Sequence, residues 1–499
     1  MKDAVLSIDL GTTAVKVALV NFEGTIESVA NYEYPLITEE KSQAEQDPDL
    51  WWNGIVQCAK ELSNKFVELH KRVTAISLCG QMHTHVYLDS KMKPLGNAIT
   101  WLDQRSSSVI KEWEQRGITE KLFEETWIAP TTTYTAPQVC WTKKFRSDLF
   151  SKTQHILLAK DYIKYLLTNN MITDPSDASG VALFDIKKNK WSEEAFKMTD
   201  IPKNLFPEVQ SSTSVMGYLT REKANILKLK TGIPVINGGS DHSVAEIGSG
   251  LLREGRISCI LGTAGVVAGC ISKPVKETKK RVSCWSYPLE GYWDILGVTQ
   301  TAASSLKWFR NAFDPDSGED IFKEYTRFAK TISAGSEGLI FLPYLMGERT
   351  PHWDSKAKGT FFGLKMKHKK SHMIKAIMEG VSYSLKDCMD IVQELGVDAD
   401  YVSVVGGGSK SELWRKILSD VLGKEVRTLK TQDTGAIGNL ILAGLSVGYI
   451  KDTKDAESLI EHSDCIQPDQ ENTLKYKKCF KLYKDIYNQT KYIMRRMED

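Results

Sequence analysis

Two short stretches in this 499-residue chain combine acids, glycines and hydroxyls in an order that suits catalysis. In Gly238-Gly239-Ser240-Asp241-His242-Ser243 the glycines let the backbone pass close to a ligand, and Asp241 opens a predicted helix through Val244, Ala245, Glu246, Ile247 and Gly248. A carboxylate there serves either as an N-cap, worth about 1 kcal/mol, or as a general base taking the proton of a hydroxyl that attacks a phosphoryl group. In Val5-Leu6-Ser7-Ile8-Asp9-Leu10-Gly11-Thr12-Thr13 an apolar run ends in a carboxylate, and Gly11 permits a tight turn before a second run from Val15 to Val20. The N–H groups and hydroxyls of such a turn suit phosphate oxygens, with Asp9 facing a magnesium ion directly or through water. The plainer reading of the same residues is a hairpin with an aspartate beside a glycine.

The second half of the chain echoes this plan. Ile257-Ser258-Cys259-Ile260-Leu261-Gly262-Thr263-Ala264-Gly265-Val266-Val267 is again an apolar run, a Gly-Thr turn and an apolar run, with Leu261 rather than an acid before the glycine. One loop would then handle metal and phosphate, the other phosphate alone. Two similar halves facing each other would hold a nucleotide in the cleft between them.

A third group of polar residues follows the predicted buried strand Val73 to Leu78, where the chain turns abruptly to Cys79-Gly80-Gln81-Met82-His83. Polar clusters at strand ends are where α/β folds place ligands. His83 and His85, one residue apart, would aim to one side of a strand, toward a metal or a polyol, or else be satisfied structural histidines. The next cluster, Thr100-Trp101-Leu102-Asp103-Gln104-Arg105, adds an aromatic face, a carboxylate, an amide and a guanidinium. That set suits a sugar, whose hydroxyls donate and accept. Asp103 and Arg105 also read as a local ion pair.

The elements that must position these residues are legible in outline. A helix is predicted from about Asp49, with Leu50, Trp51, Ile55, Ala59 and Leu62 at helical spacing. Residues 107 to 230 read as mostly helical, with Asp174 to Gly180 a turn and cap segment. Tyr401 to Val405 reads as a strand, Gly406-Gly407-Gly408-Ser409 as a turn that lets a flat ligand approach the backbone, and Ser411 to Gly423 as an amphipathic helix. A small-residue helix over 431–443 should pack closely on its neighbours, and a long helix from Tyr476 should cover the C-terminal half.

Composition bounds the rest. With 41% apolar and 26% charged residues the chain is an ordinary globular sequence, long enough for two domains. A formal net charge of +2 gives no footprint for nucleic acid. No run reaches the length of a membrane span, and Met1-Lys2-Asp3 makes a poor start for a secretory signal, so a cytoplasmic protein without a membrane partner is expected. Nine scattered cysteines with no Cys-x-x-Cys pair are expected to be free thiols.

Taken in order, these motifs resemble the FGGY carbohydrate-kinase family. The likeness rests on the Asp9 hairpin, Gly80-Gln81-Met82-His83, Trp101-x-Asp103-x-Arg105, Gly238-Gly239-x-Asp241, Leu261-Gly262-Thr263, Gly347-Glu348-Arg349-Thr350-Pro351-His352 and Gly406-Gly407-Gly408-Ser409-Lys410-Ser411-x-x-Trp414-Arg415. It implies an α/β fold of two duplicated actin/hexokinase-like (ribonuclease H-like) domains, drawn at residues 1–245 and 246–499, with an ATP cleft between them. It also implies ATP and Mg2+, with Asp241 as base and Asp9 on the metal side. Gln81, Met82, His83, Trp101, Asp103 and His242 would contact the sugar; Gly11, Thr12, Thr13, Gly262, Thr263, Gly407, Gly408 and Ser411 would contact ATP. His85 and His242 stand where the family usually has other residues, which leaves the sugar less determined than the nucleotide. A neutral hydroxyl-binding set favours D-xylulose, with gluconate as the alternative acceptor. A nucleotide-gated binding protein on the same fold remains a different-class option. Oligomeric state stays open, a homodimer included.

Overall fold

The computed structural model describes residues 3–497 except 41 and 67, so the opening pair Met1-Lys2 lies outside the described residues. Two mixed sheets organise the chain. The first has six strands in the order Val215–Tyr218, Pro234–Ser240, Val73–Gly80, Ala4–Leu10, Ala14–Asn21, Ile26–Glu33. Ala4–Leu10 pairs antiparallel with Ala14–Asn21 and parallel with Val73–Gly80. The second sheet repeats the pattern, with Ile257–Leu261 antiparallel to Gly265–Ile271 and parallel to Tyr401–Val405. The duplicated architecture expected from the paired hairpins is therefore present.

Both hairpins are buried along most of their strands because these are largely apolar, Asp9 and Lys16 being exceptions, which is the pattern of strands covered on two faces. Their tips are not: Thr13 and Thr263 are exposed. The two turns differ by one residue, because Leu10 pairs with Val15 whereas Leu261 pairs with Gly265. Counting back from each glycine, the residue matching Asp9 is Ile260, and Leu261 matches Leu10.

Between the sheets run two helices, Asp241–Gly248 and Thr434–Val447. Asn439 fastens the second to the N-terminal sheet: its Nδ2 donates to Ser7 Oγ at 2.9 Å, and Ser77 Oγ donates to its Oδ1 at 3.1 Å. The first sheet's final strand ends at Ser240 and the second sheet's first strand begins at Ile257, with the Asp241–Gly248 helix between them. The expected cut at 245/246 falls inside that helix, ahead of the connection over 249–256. The small-residue stretch does form a close-packed helix, and Gln470–Met494 lies over the C-terminal domain as expected. A four-stranded sheet of Glu45–Gln46, Ala98–Ile99, His85–Leu88 and His155–Leu158 carries the flank of the sugar-side motifs.

Among the described residues no helix is long and apolar enough to cross a membrane. All nine cysteines are free, six of them buried.

Candidate active site

Asp241 is the first residue of its helix, and the capping duty falls to its neighbour: Ser240 Oγ accepts from Ser243 N at 3.3 Å. The N-cap reading of Asp241 is thereby removed, and the carboxylate accepts the N–H of His242 at 2.7 Å. Burial pushes its carboxyl up to about 7, and the nearby charge of Asp9 adds to the shift. Asp9 is itself raised, mainly by burial. Two buried carboxyls with raised pKa values, at the ends of the two strands that flank Val73–Gly80, are a recognisable site for proton chemistry.

A buried charged network supports this strand end. Lys160 Nζ lies 2.7 Å from Asp161, 2.8 Å from Asp174 and 3.1 Å from Asp177, all essentially without solvent. Ser176 Oγ donates to Asp174 Oδ1 at 2.5 Å and accepts from Ser240 N at 3.0 Å, so the network reaches the residue before Asp241. Burial holds Asp177 well above the usual carboxylate range. The expected cap at Asp174 is present, accepting from Ser176 N and Asp177 N. Reading residues 107 to 230 as mostly helical gives no sign of this network, because its members are scattered and only the fold brings them together.

The first turn is tightly held. Gly11 N donates to Ala14 O at 3.0 Å, Tyr34 OH donates to Gly11 O at 2.5 Å, and Gln46 Nε2 donates to Thr12 O. Trp101 Nε1 donates to Thr12 Oγ1 at 3.0 Å, which ties the sugar-side motif to the phosphate-side turn. The second turn is fixed by Ala302 N and Ala303 N, donating to Thr263 O and Gly262 O at 2.9 and 2.8 Å. Among the described residues no cation is bonded to Asp9: Lys16, whose charge reaches it, places its ammonium 3.1 Å from Asp433 Oδ1. An acceptor-only carboxylate left in this state fits a hydrated magnesium ion.

On the sugar side the structure separates the candidates. His83 is not on a strand; it adopts a left-handed φ of 64°, and its Nδ1 lies 2.8 Å from the carbonyl oxygen of Gly180. Burial lowers its pKa to about 4, and Arg349 nearby adds to the effect. The ring is therefore neutral, with Nδ1–H donating to Gly180 and Nε2 left as an acceptor. His85 goes elsewhere. It is fully buried, with Nε2 3.0 Å from Tyr87 OH, so the two histidines do not share a side.

Gln81 is buried, its Nε2 donating to Gln46 Oε1 at 2.7 Å and its Oε1 accepting from Thr84 Oγ1 at 3.1 Å. Both ends of the amide thus meet protein groups. Asp103 is more fully committed. Oδ1 accepts from Arg105 N and Nε at 2.9 and 2.8 Å, and Oδ2 accepts from Ala44 N and Arg105 Nη2, both at 2.7 Å. Four donors use the four lone-pair sites of a carboxylate, so the ion-pair reading prevails over sugar contact. Met82 is half-buried beside His83. His242 turns its Nε2 toward Glu246, 2.5 Å away.

Three residues not singled out for the site in the sequence gather around His83. Tyr134 packs edge-on at 4.9 Å between ring centroids, and Trp285, from the C-terminal domain, lies at 5.6 Å. Trp285 Nε1 is buried without a hydrogen-bond partner. Arg349 forms no ion pair among the described residues, although its charge is felt by both His83 and Tyr134. Only the Gly-Glu-Arg motif hinted at the last of these; nothing in the local sequence marks the other two.

The glycine-rich turn is only partly open. A Cβ on Gly406 would come within 2.8 Å of Leu261 O, and one on Gly408 within 2.5 Å of Leu261 Cγ, whereas Gly407 faces open space. Gly406 and Gly408 thus let the turn pack on the second hairpin, and Gly407 is the one with room for a ligand. Ser411 caps the Glu412–Leu422 helix, accepting from Trp414 N at 3.3 Å, and its hydroxyl lies 3.2 Å from Thr326 Oγ1.

Comparison with known proteins agrees with this geometry. The N-terminal domain of the FGGY family of carbohydrate kinases matches residues 4–248, and the family's C-terminal domain matches residues 257–447. A xylulose kinase of Bacillus subtilis (strain 168) is 33% identical over 489 residues, covering 98% of this chain and 97% of the relative. Crystal structures of a ligand-bound xylulose kinase and of a gluconate kinase, both from Lactobacillus acidophilus, each superpose with a TM-score of 0.92 at 26% and 27% identity. Each match covers 98% of both chains.

Proposed function

The chain belongs to the FGGY family of carbohydrate kinases, and from that premise we propose that it transfers the γ-phosphate of ATP to the terminal hydroxyl of D-xylulose, with Asp241 as general base. The observation that carries the choice of a neutral sugar is the state of His83. Its neutral ring, with Nδ1 committed to Gly180, offers one acceptor beside the unused donor of Trp285 Nε1. A hydroxyl needs such a mixed pair, since it both donates and accepts. The identity to the B. subtilis xylulose kinase supports the same choice.

In this reading Asp241 takes the proton of the attacking hydroxyl as its oxygen meets the phosphoryl group. The N–H groups of the Thr12 to Ala14 and Gly262 to Ala264 turns, with the hydroxyls of Thr12, Thr13 and Thr263, receive phosphate oxygens, while Gly11 N shapes the turn through Ala14 O and Gly407 leaves space for the adenosine. Asp9 holds the metal side, where Mg2+ would neutralise phosphate charge. Gln81, Asp103 and Arg105 position the loops around the sugar rather than touching it, and Ser411 acts on the nucleotide side only through the helix it caps. Excluding water from the cleft prevents loss of the phosphoryl group to hydrolysis.

A second reading, gluconate as acceptor, has one observation in its favour: Arg349 is a cation without an ion pair near His83. A carboxylate acceptor would use it. The experiment is kcat/KM with ATP for both compounds at pH 8. D-Xylulose is expected ahead, and gluconate ahead would transfer the assignment to Arg349 and an acidic acceptor.

A further inference from the structure

Behind Asp241 lies a group of ligating side chains that the phosphoryl-transfer chemistry does not use. His242 and Glu246 stand one turn apart on the Asp241–Gly248 helix, and Asp294 projects from the Trp293–Thr299 strand of the other domain. One ligand atom from each lies within 4.8 Å of the others. Glu246 is 2% exposed and Asp294 1%.

The polar accounting there does not close. His242 Nε2, Glu246 Oε1, Glu246 Oε2 and Asp294 Oδ1 are all buried and none makes a well-directed hydrogen bond, although His242 Nε2 and Glu246 Oε1 lie in close contact. Glu246 has only the His242 ring, 2.5 Å away, as an ionic neighbour, and Asp294 has no ion pair among the described residues. Of the other titratable groups that feel these charges, Cys270, Cys284 and Tyr287 are pushed further up by the carboxylates, and Asp241 interacts with His242. Buried polar atoms are paired in the great majority of cases, and an exception calls for a cause. The short contact pairs His242 Nε2 with Glu246 Oε1, and a single proton shared between Glu246 and Asp294 would pair the other two oxygens. One cation can satisfy all of them.

We propose that His242, Glu246 and Asp294 bind one divalent transition-metal ion, Zn2+, as a tie between the two domains, separate from the magnesium site at Asp9. An imidazole nitrogen with two carboxylates is a zinc donor set, drawn in on bonds of about 2.0–2.2 Å, whereas Mg2+ prefers oxygen ligands alone. The His242 side chain keeps 18% of its surface exposed, which leaves the ion a route in. Once bound, the ion fixes the first turn of the helix that carries Asp241, so it is a positioning element and not a participant in phosphoryl transfer.

The test uses the full-length enzyme without nucleotide, stripped with a chelator, then given Zn2+ and exchanged into metal-free buffer. Wild type should retain about one Zn2+ per chain and show a raised unfolding midpoint. Asp9→Asn should retain the ion equally, which separates this site from the nucleotide's metal. The pair Glu246→Gln with Asp294→Asn, nearly isosteric and free of the buried charges, should lose both the ion and the shift in midpoint; His242→Asn is a second, milder loss of one ligand. A wild-type enzyme that retains no Zn2+ overturns the proposal, leaving a proton shared by the two carboxylates. Retention by the double variant overturns it equally.

Discussion

A Cβ placed on Gly438 would lie 1.9 Å from the backbone oxygen of Val244. The two residues belong to the helices that cross between the domains, and Gly248 has the reciprocal relation to Thr434 O, also at 1.9 Å. The backbones meet because neither glycine has a side chain, and this contact sets how the Asp241 helix sits against the C-terminal half. Gly438→Ala should therefore cost about 1–3 kcal/mol through overpacking, seen as a lowered denaturation midpoint. Gly407→Ala, with open space around it, should leave the midpoint unchanged and weaken ATP binding. Equal midpoints for both variants would mean the crossing tolerates separation.

How much of this was legible in the sequence depends on the range over which each signal acts. The paired hairpins, Asp9 and the Gly-Gly-Ser-Asp241 segment are local patterns, and their strands and helix fall where periodicity and turn residues put them. The role of Ser240 as the cap was missed because two adjacent residues could both cap, and only backbone geometry decides. His83 and His85 were read as one strand face, but a left-handed φ at His83 sends them apart. Lys160 with Asp174 and Asp177, and Trp285 beside His83, depend on contacts between distant segments that no local spacing encodes.

Asp103 tests the distinction between a ligand and a clamp. Its carboxylate is fully used by Ala44 and Arg105, so Asp103→Asn should remove one of the two carboxylates that pair the buried guanidinium and destabilise the protein by roughly 1–3 kcal/mol. Glu45, 2.6 Å from Arg105 Nη2, remains as a partner, and the expected outcome is a lower unfolding midpoint. A variant of normal stability with a raised KM for the sugar would restore Asp103 as a direct contact.

His83 should be replaceable by Asn without backbone strain, since Asn tolerates a positive φ. The change removes the Nε2 acceptor. His83→Asn should raise KM for D-xylulose roughly 2- to 10-fold, the range of one neutral hydrogen bond, and leave KM for ATP unaltered. An unchanged sugar KM would exclude the ring from the site.

The pH dependence follows from Asp241, whose carboxyl is raised to about 7. The base is the ionised form, so kcat/KM for the sugar should climb as pH rises through about 7 and level off above it. Stability runs the other way. The folded carboxyl binds its proton more tightly than the unfolded one, near 3.9, so Asp241 makes folding less favourable as pH rises from about 4 to 7. Asp241→Asn should accordingly be more stable than wild type at pH 8. An activity profile flat across pH 6 to 8 would contradict the assignment of the base.

The most direct test of the account is turnover by Asp241→Asn at saturating ATP and D-xylulose, with sugar binding measured separately by calorimetry. The amide keeps the shape of the side chain and loses its capacity to take a proton. Binding should persist while kcat falls on the order of 100- to 10,000-fold, the usual worth of general-base assistance. A variant that keeps more than roughly half of wild-type turnover would lack that loss altogether, and Asp241 would not be the base.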